Sequence, residues 1–181
     1  NHPAFASVDE RIGFRVTEID SEQKFLIDSS NVKQPFQALI IATGSKPFIP
    51  NIPGVDISGV YSFRNYADTN KLLARRASSH HCVVLGGGLL GLEAARAMQK
   101  LNTELTLIEH ADRLLSNQLD VAGAELLHAQ LESPGINVII CDLVSAGLGT
   151  ERLTGLRLRR GRELACATII PATGIPPKLQ L

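Results

Sequence analysis

The sequence has 181 residues, 44% hydrophobic and 20% charged, a composition that can bury a core and is too apolar for intrinsic disorder. Eighteen Lys+Arg against eighteen Asp+Glu give a formal net charge of +0, so no long-range field draws the chain to nucleic acid or anionic lipid. The longest apolar stretch, residues 82–92, is shorter than the roughly 20 residues of a spanning helix and contains glycines, so no membrane partner is expected either.

The chain opens on Asn1 with no signal-like segment, which points to a processed chain or a fragment. Residues 14–19 and 24–27 alternate apolar and polar side chains around a turn-rich 20–23 and predict two strands of a small antiparallel meander. Residues 38–41, Ala-Leu-Ile-Ile, predict a third strand, and its lack of alternation suits burial on both faces. The run continues into Ala42-Thr43-Gly44. Residues 46–54 then hold three prolines and a glycine, a stretch that continues neither strand nor helix and reads as an inter-domain linker.

A short helix is predicted at 68–77, a buried strand at 82–85, a helix at 89–101 and a second strand at 104–108. Strand, helix and strand at this length make a parallel βαβ unit. Asp120 suits the N-cap of a helix running to about Glu132, stopped by Ser133-Pro134-Gly135 before a strand at 136–140. Further strands are predicted near 143–148, 153–158 and 167–170. Residues 38–44 recur at 167–174 with one extra residue, each ending in Ala-Thr-Gly. Two copies make no solenoid; they read as matching exits from one sheet into another.

Gly86, Gly88 and Gly91 stand as G-x-G-x-x-G directly after a strand and at the opening of a helix. The first glycine permits the tight turn, the second lets backbone approach a pyrophosphate, and the third lets helix and strand pack closely. The helix N-terminus adds free N–H groups and about half a positive charge. Glu109 ends the next strand 18 residues past Gly91, near the spacing of about 20 expected of a carboxylate on an adenosine ribose. A carboxylate there favours NAD and repels the 2′-phosphate of NADP, although His110 and Arg113 are placed to soften the preference. The competing readings are a close-packed turn without ligand and, for Glu109, a solvated strand end.

With Gly86-Gly87-Gly88-Leu89-Leu90-Gly91-Leu92-Glu93-Ala94-Ala95, Ile41-Ala42-Thr43-Gly44-Ser45-Lys46-Pro47 and both Ala-Thr-Gly exits, the sequence resembles the FAD-dependent pyridine nucleotide-disulfide oxidoreductase superfamily. More narrowly it is similar to the branch of NADH-dependent nitrite reductase large subunits and rubredoxin or ferredoxin reductases, from about residue 15 to 174. The resemblance implies an α/β fold: a Rossmann-like NAD-binding domain, with a parallel sheet and a small antiparallel meander, flanked by strands of an incomplete FAD-binding domain. It puts partial FAD-domain strands at 1–44, the NAD(P)-binding domain at 45–171 and the return to the FAD domain at 172–181.

In the family, Glu93 matches a glutamate near the nicotinamide carboxamide, though a carboxylate there also complements the helix dipole. Gly174 matches a glycine close to the nicotinamide nucleotide, with a plain strand-ending turn as its alternative; Arg64 matches a position with no chemistry assigned. The cofactor-binding candidates are therefore Gly86, Gly87, Gly88, Leu89, Leu90, Gly91, Glu93, Glu109, Thr173 and Gly174, with no catalytic residue and no metal ligand.

The family's first glycine loop and its Gly-Asp motif are not in the sequence, so FAD is expected in a parent enzyme and not on this chain, which alone is expected to be inactive. The absence of C-x-x-C sets the thioredoxin reductases aside. The function implied is hydride transfer from NADH to FAD, then electrons to an iron-sulfur, rubredoxin or sirohaem acceptor, with nitrite reduction among the branch's activities. The implied setting is cytoplasmic, with an electron-acceptor protein or domain as partner, and homo-oligomers are compatible with it. The alternative is a non-catalytic NAD(H)-binding regulatory module; a loop gripping FAD itself is disfavoured, because in the family the FAD loop precedes the first exit.

Remaining features have plainer readings. Cys82, Cys141 and Cys166 each lie in an apolar, strand-like run, with no C-x-x-C or Cys/His cluster, and are expected to be buried thiols. His80-His81 reads as a solvent-facing loop before the strand, and Arg157, Arg159, Arg160 and Arg162 as a solvated strand face. No Gly-x-Ser-x-Gly context exists for a nucleophilic serine.

Overall fold

The computed structural model describes residues 8–100, 102–174 and 176–178. The chain divides into two compact units, Asn1–Ser45 with Pro177–Leu181, and 46–176.

The first unit holds a three-stranded antiparallel sheet of β1 (Val16–Asp20), β2 (Phe25–Asp28) and β3 (Lys33–Pro35), in that order. Asp20 shapes the first turn, its Oδ1 accepting from the N–H groups of Glu22 and Gln23 at 3.0 and 2.8 Å. Asp28 shapes the second, accepting from Ser30 and Val32. The third strand is therefore 33–35 and not the predicted 38–41. Ile40 and Ile41 are 90% and 63% exposed. An apolar run becomes a strand only where a neighbour takes its backbone groups, and the described residues supply none.

In the second unit α1 (Tyr66–Ser78) starts two residues before the predicted helix. A capping box sets that start: Asn65 accepts from the N–H of Asp68, and Asp68 accepts from the N–H groups of Asn65 and Arg64. Then follow β4 (His81–Leu85), α2 (Leu89–Met98), β5 (Glu104–Ile108), α3 (Val121–Glu132), β6 (Ile136–Ile139), β7 (Val144–Leu148), β8 (Gly155–Leu158), β9 (Glu163–Ala165) and β10 (Thr168–Pro171). Asp120 caps α3 by accepting from Gly123 N–H at 2.8 Å. The parallel sheet runs β10-β4-β5-β6, and β7-β8-β9 form a separate antiparallel sheet.

Both faces of the parallel sheet are buried. Leu72, Ala94, Ala95 and Met98 of the helices pack on Val84, Leu107, Ile136 and Ile170; Val83, Leu85, Ile108 and Ile169 on the other face pack on Leu153, Leu156 and Leu158. Two-sided burial is why these strands read as unbroken apolar runs.

The meander has a strand the sequence did not announce. The three-residue β9 is joined to β8 through Gly161 at φ +89. Past β10, Phe48 donates to the Gly174 carbonyl and Lys46 to that of Pro176, both at 3.0 Å. His81 lies in β4 rather than in a loop, its Nδ1 3.1 Å from Glu104 Oε2. Cys82 and Cys166 are buried, and burial pushes both thiols up to about 12. Cys141 is exposed, just past β6 with φ +57, contrary to the buried-strand expectation. The arginine run lies exposed, Arg157 paired with Glu163 at 2.8 Å. No helix is long and apolar enough to cross a membrane, and no group of three or more His, Cys, Asp and Glu could hold a metal, among the described residues.

Candidate functional site

The parallel strands end together, and a groove of about 280 Å³ opens there. Its floor is the glycine loop. Gly86 leaves β4 at φ +105, and an added Cβ would lie 2.6 Å from the Ala172 carbonyl oxygen; one at Gly91 would overlap the Gly86 carbonyl oxygen. These two glycines are dictated by close packing of strand, turn and helix. A Cβ on Gly87 would meet Leu114 at 2.6 Å and the Glu109 carboxylate at 3.1 Å. Gly88 differs: as N-cap of α2 its backbone is extended, at φ −80 and ψ 178, and an added Cβ meets nothing within 4 Å. No side chain caps α2, so nothing from the protein's side chains competes for its first N–H groups.

Glu109 follows β5 and is only 7% exposed. Its Oε2 accepts from Gly87 N–H at 2.5 Å, and its Oε1 accepts from Ala111 N–H at 2.8 Å with His110 Nδ1 2.7 Å away. The carboxylate thereby fastens the end of β5 to the glycine loop.

The opposite wall went unrecognised in the sequence. It is the irregular segment of Leu115, Ser116, Asn117 and Gln118, which carries no hydrophobic period. Leu115 sits at φ +48 and donates to the Gly87 carbonyl at 3.0 Å. Arg113 braces the segment from behind: Nε donates to the Leu119 carbonyl at 3.3 Å, Nη2 to that of Ser116 at 3.1 Å, and Nη1 to Asp112 at 2.9 Å. Three of the five guanidinium N–H groups are thereby engaged within the segment.

Gly86, Gly87, Gly88, Glu109, Thr173 and Gly174 all line the groove. Gly91 packs beneath it, Leu90 enters the helical core and Leu89 is exposed. Glu93 is exposed and faces a different groove, between α2 and α3, with Arg96, Leu127 and Gln130. Thr173 donates its hydroxyl to the Phe48 carbonyl at 3.2 Å, and Gly174 adopts φ +131.

The sequence model of the pyridine nucleotide-disulphide oxidoreductase family matches residues 5–181. The chain belongs to this family. Among curated relatives, it is 38% identical over 166 residues to a nitrite reductase [NAD(P)H] of Bacillus subtilis (strain 168), covering 92% of this chain and 21% of that one. It is 36% identical over 172 residues to a nitrite reductase (NADH) large subunit of Escherichia coli (strain K12), covering 94% and 20%. Among solved structures, a NAD-dependent persulfide reductase from A. fulgidus superposes with a TM-score of 0.77 at 29% identity, over 91% of this chain and 31% of that one.

The chain thus spans about a fifth of the length of these curated relatives. Its membership places it in an oxidoreductase family, as the loop and the two Ala-Thr-Gly exits implied, and the expected α/β, Rossmann-like architecture is the one observed.

Proposed function

We propose that the chain is the NADH-binding portion of a flavin-dependent oxidoreductase. Gly88 carries the reading. Its backbone is open to any residue and its Cβ position is free of protein atoms, so beyond a tolerable N-cap the missing side chain serves a group that lies against the loop from outside, as a pyrophosphate does.

The surroundings suit that group. The uncapped start of α2 offers N–H groups and the positive end of a helix dipole to phosphate oxygens along Gly86–Gly91. Oε1 of Glu109 has Ala111 N–H and His110 Nδ1 against it, while Oε2 keeps acceptor capacity beyond Gly87 N–H for a hydroxyl of an adenosine ribose. The same charge opposes a 2′-phosphate, which favours NADH over NADPH. Thr173 and Gly174, on the rim of β10, flank the nicotinamide end. Glu93 lies past the first turn of α2, beyond the reach of a helix-dipole role, and its groove is separate, so we assign it no contact to the nucleotide.

NADH held here would supply a hydride to the FAD of the parent enzyme, whose flavin chemistry would allow single-electron delivery to an iron-sulfur, rubredoxin or sirohaem acceptor. We read the unit 46–176 as the NAD(H) domain and the strands of 1–45 as part of an FAD-binding domain. The nitrite reductase relatives favour that acceptor class, and a relative named as a ferredoxin--NAD(+) reductase subunit, from Pseudomonas putida at 28% identity, favours a small iron-sulfur protein.

Calorimetric titration with NADH, NADPH and FAD tests the reading. The expected result is saturable NADH binding and weaker NADPH binding. Absence of NADH binding would sink the reading, and NADPH binding the tighter of the two would sink the role of Glu109.

A further inference from the structure

We propose that Asp142 reads the base of the bound dinucleotide, its carboxylate accepting the exocyclic 6-amino group of adenine. The proposal rests on the glycine groove's holding an NAD(H) pyrophosphate. A second groove, of about 220 Å³, opens beside the first and shares Gly86, His110 and Thr173 with it. Of the shared residues His110 follows the ribose carboxylate Glu109 directly in the chain, and at that edge a molecule lying across the glycine loop has this groove next to its adenosine end.

The walls suit a flat aromatic ring. Ile52, Leu85, Ile108 and Leu143 are apolar, and Arg159 also lines the groove, a cation able to lie over a ring face. Asp142 is the carboxylate among them. It is 7% exposed, and its Oδ1 accepts from Leu143 N–H at 2.8 Å. Its Oδ2 accepts no hydrogen bond from the described residues. The residue is held firmly while Oδ2 stands open to the groove as a spare acceptor, and the one donor on the edge of an adenine ring is its amino group. Asp142 is also held in register with the ribose carboxylate: its N–H donates to the Glu109 carbonyl at 3.3 Å, and that of Cys141 to the Ala111 carbonyl at 2.9 Å. Sugar and base of one nucleoside thus meet two acidic side chains fixed to one another through backbone.

The test is equilibrium titration of the full chain with NADH and with reduced nicotinamide hypoxanthine dinucleotide, in which a 6-keto oxygen replaces the amino group. That oxygen would face the carboxylate acceptor to acceptor. NADH is expected to bind about ten- to a hundredfold more tightly, the worth of one hydrogen bond to a charged group. Asp142→Leu is expected to bring the ratio to about one by weakening NADH alone. Asp142→Asn, whose one amide oxygen keeps the bond from Leu143 N–H and so turns an N–H₂ donor toward the base, is expected to bring the ratio to one or below, in favour of the 6-keto dinucleotide.

Equal affinity for the two dinucleotides in the unchanged chain, or equal weakening of both by the Asp142 substitutions, overturns the assignment and leaves the glycine groove standing. Failure of the unchanged chain to bind either dinucleotide overturns both.

Discussion

The Glu109 carboxylate accepts a hydrogen bond from the Gly87 N–H at 2.5 Å, joining the two parts of the nucleotide motif within the protein itself. The acidic strand end and the glycine turn lie far apart in sequence yet form one rigid edge. Glu109→Gln would put an amide N–H₂ against one of two backbone donors. It is expected to destabilise the fold by about 1–3 kcal/mol, read by urea unfolding, and to narrow the preference for NADH over NADPH. An unchanged unfolding midpoint would show that the bond does not hold the loop.

Gly88 and Gly91 separate ligand demand from packing demand. Gly88→Ala is expected to cost at most about 1 kcal/mol, the loss of a tolerable N-cap, while NADH affinity falls at least about tenfold. Gly91→Ala is expected to lower the melting temperature sharply, because its Cβ has no place to go beside the Gly86 carbonyl. Thermal unfolding with and without NADH distinguishes them, and similar melting temperatures for the two variants would contradict the packing argument.

Arg113 acts through the wall it braces. Arg113→Ala is expected to weaken NADH and NADPH by the same factor, about three- to tenfold, through loss of hydrogen bonds to the Ser116 and Leu119 carbonyls. Arg113→Lys, which lacks the fork, should recover little of it. A selective loss of NADPH would instead make Arg113 a phosphate ligand.

The cysteines should divide by reactivity. Burial raises Cys82 and Cys166 from 9.0 to about 12, and only the thiolate reacts. A disulfide reagent at pH 8 is expected to modify Cys141 quickly and the other two only on unfolding. Because the unfolded thiols ionise first, stability should be unaffected by them below about pH 9 and fall as pH climbs from there toward 12. Rapid reaction of more than one thiol in the native chain would refute this.

How far the sequence announced the structure depends on what each feature needs. The parallel strands were legible because burial on two faces demands continuous apolar side chains, and Asp120 and the glycines because caps and tight turns need particular residues. Ile40 and Ile41 misled because apolarity records a capacity for burial, and pairing depends on partners. The segment from Leu115 to Gln118 was invisible since its shape comes from Arg113 and a bond to Gly87, not from any periodicity. Asp142 escaped notice because a carboxylate after a strand looks like any solvent-facing turn until the walls around it are known.

The parallel pairing of β10 with β4, Thr168 beside Cys82, has a consequence for how the chain acquires its shape. The rim formed by Thr173 and Gly174 reaches the glycine loop only after some of the most distant segments of the second unit have met, a slow closure compared with local helix formation. During synthesis the loop and Glu109 emerge well before that closing strand. Nucleotide affinity should therefore appear in the last kinetic phase of refolding, with early-forming helices showing their circular dichroism while NADH is still not held.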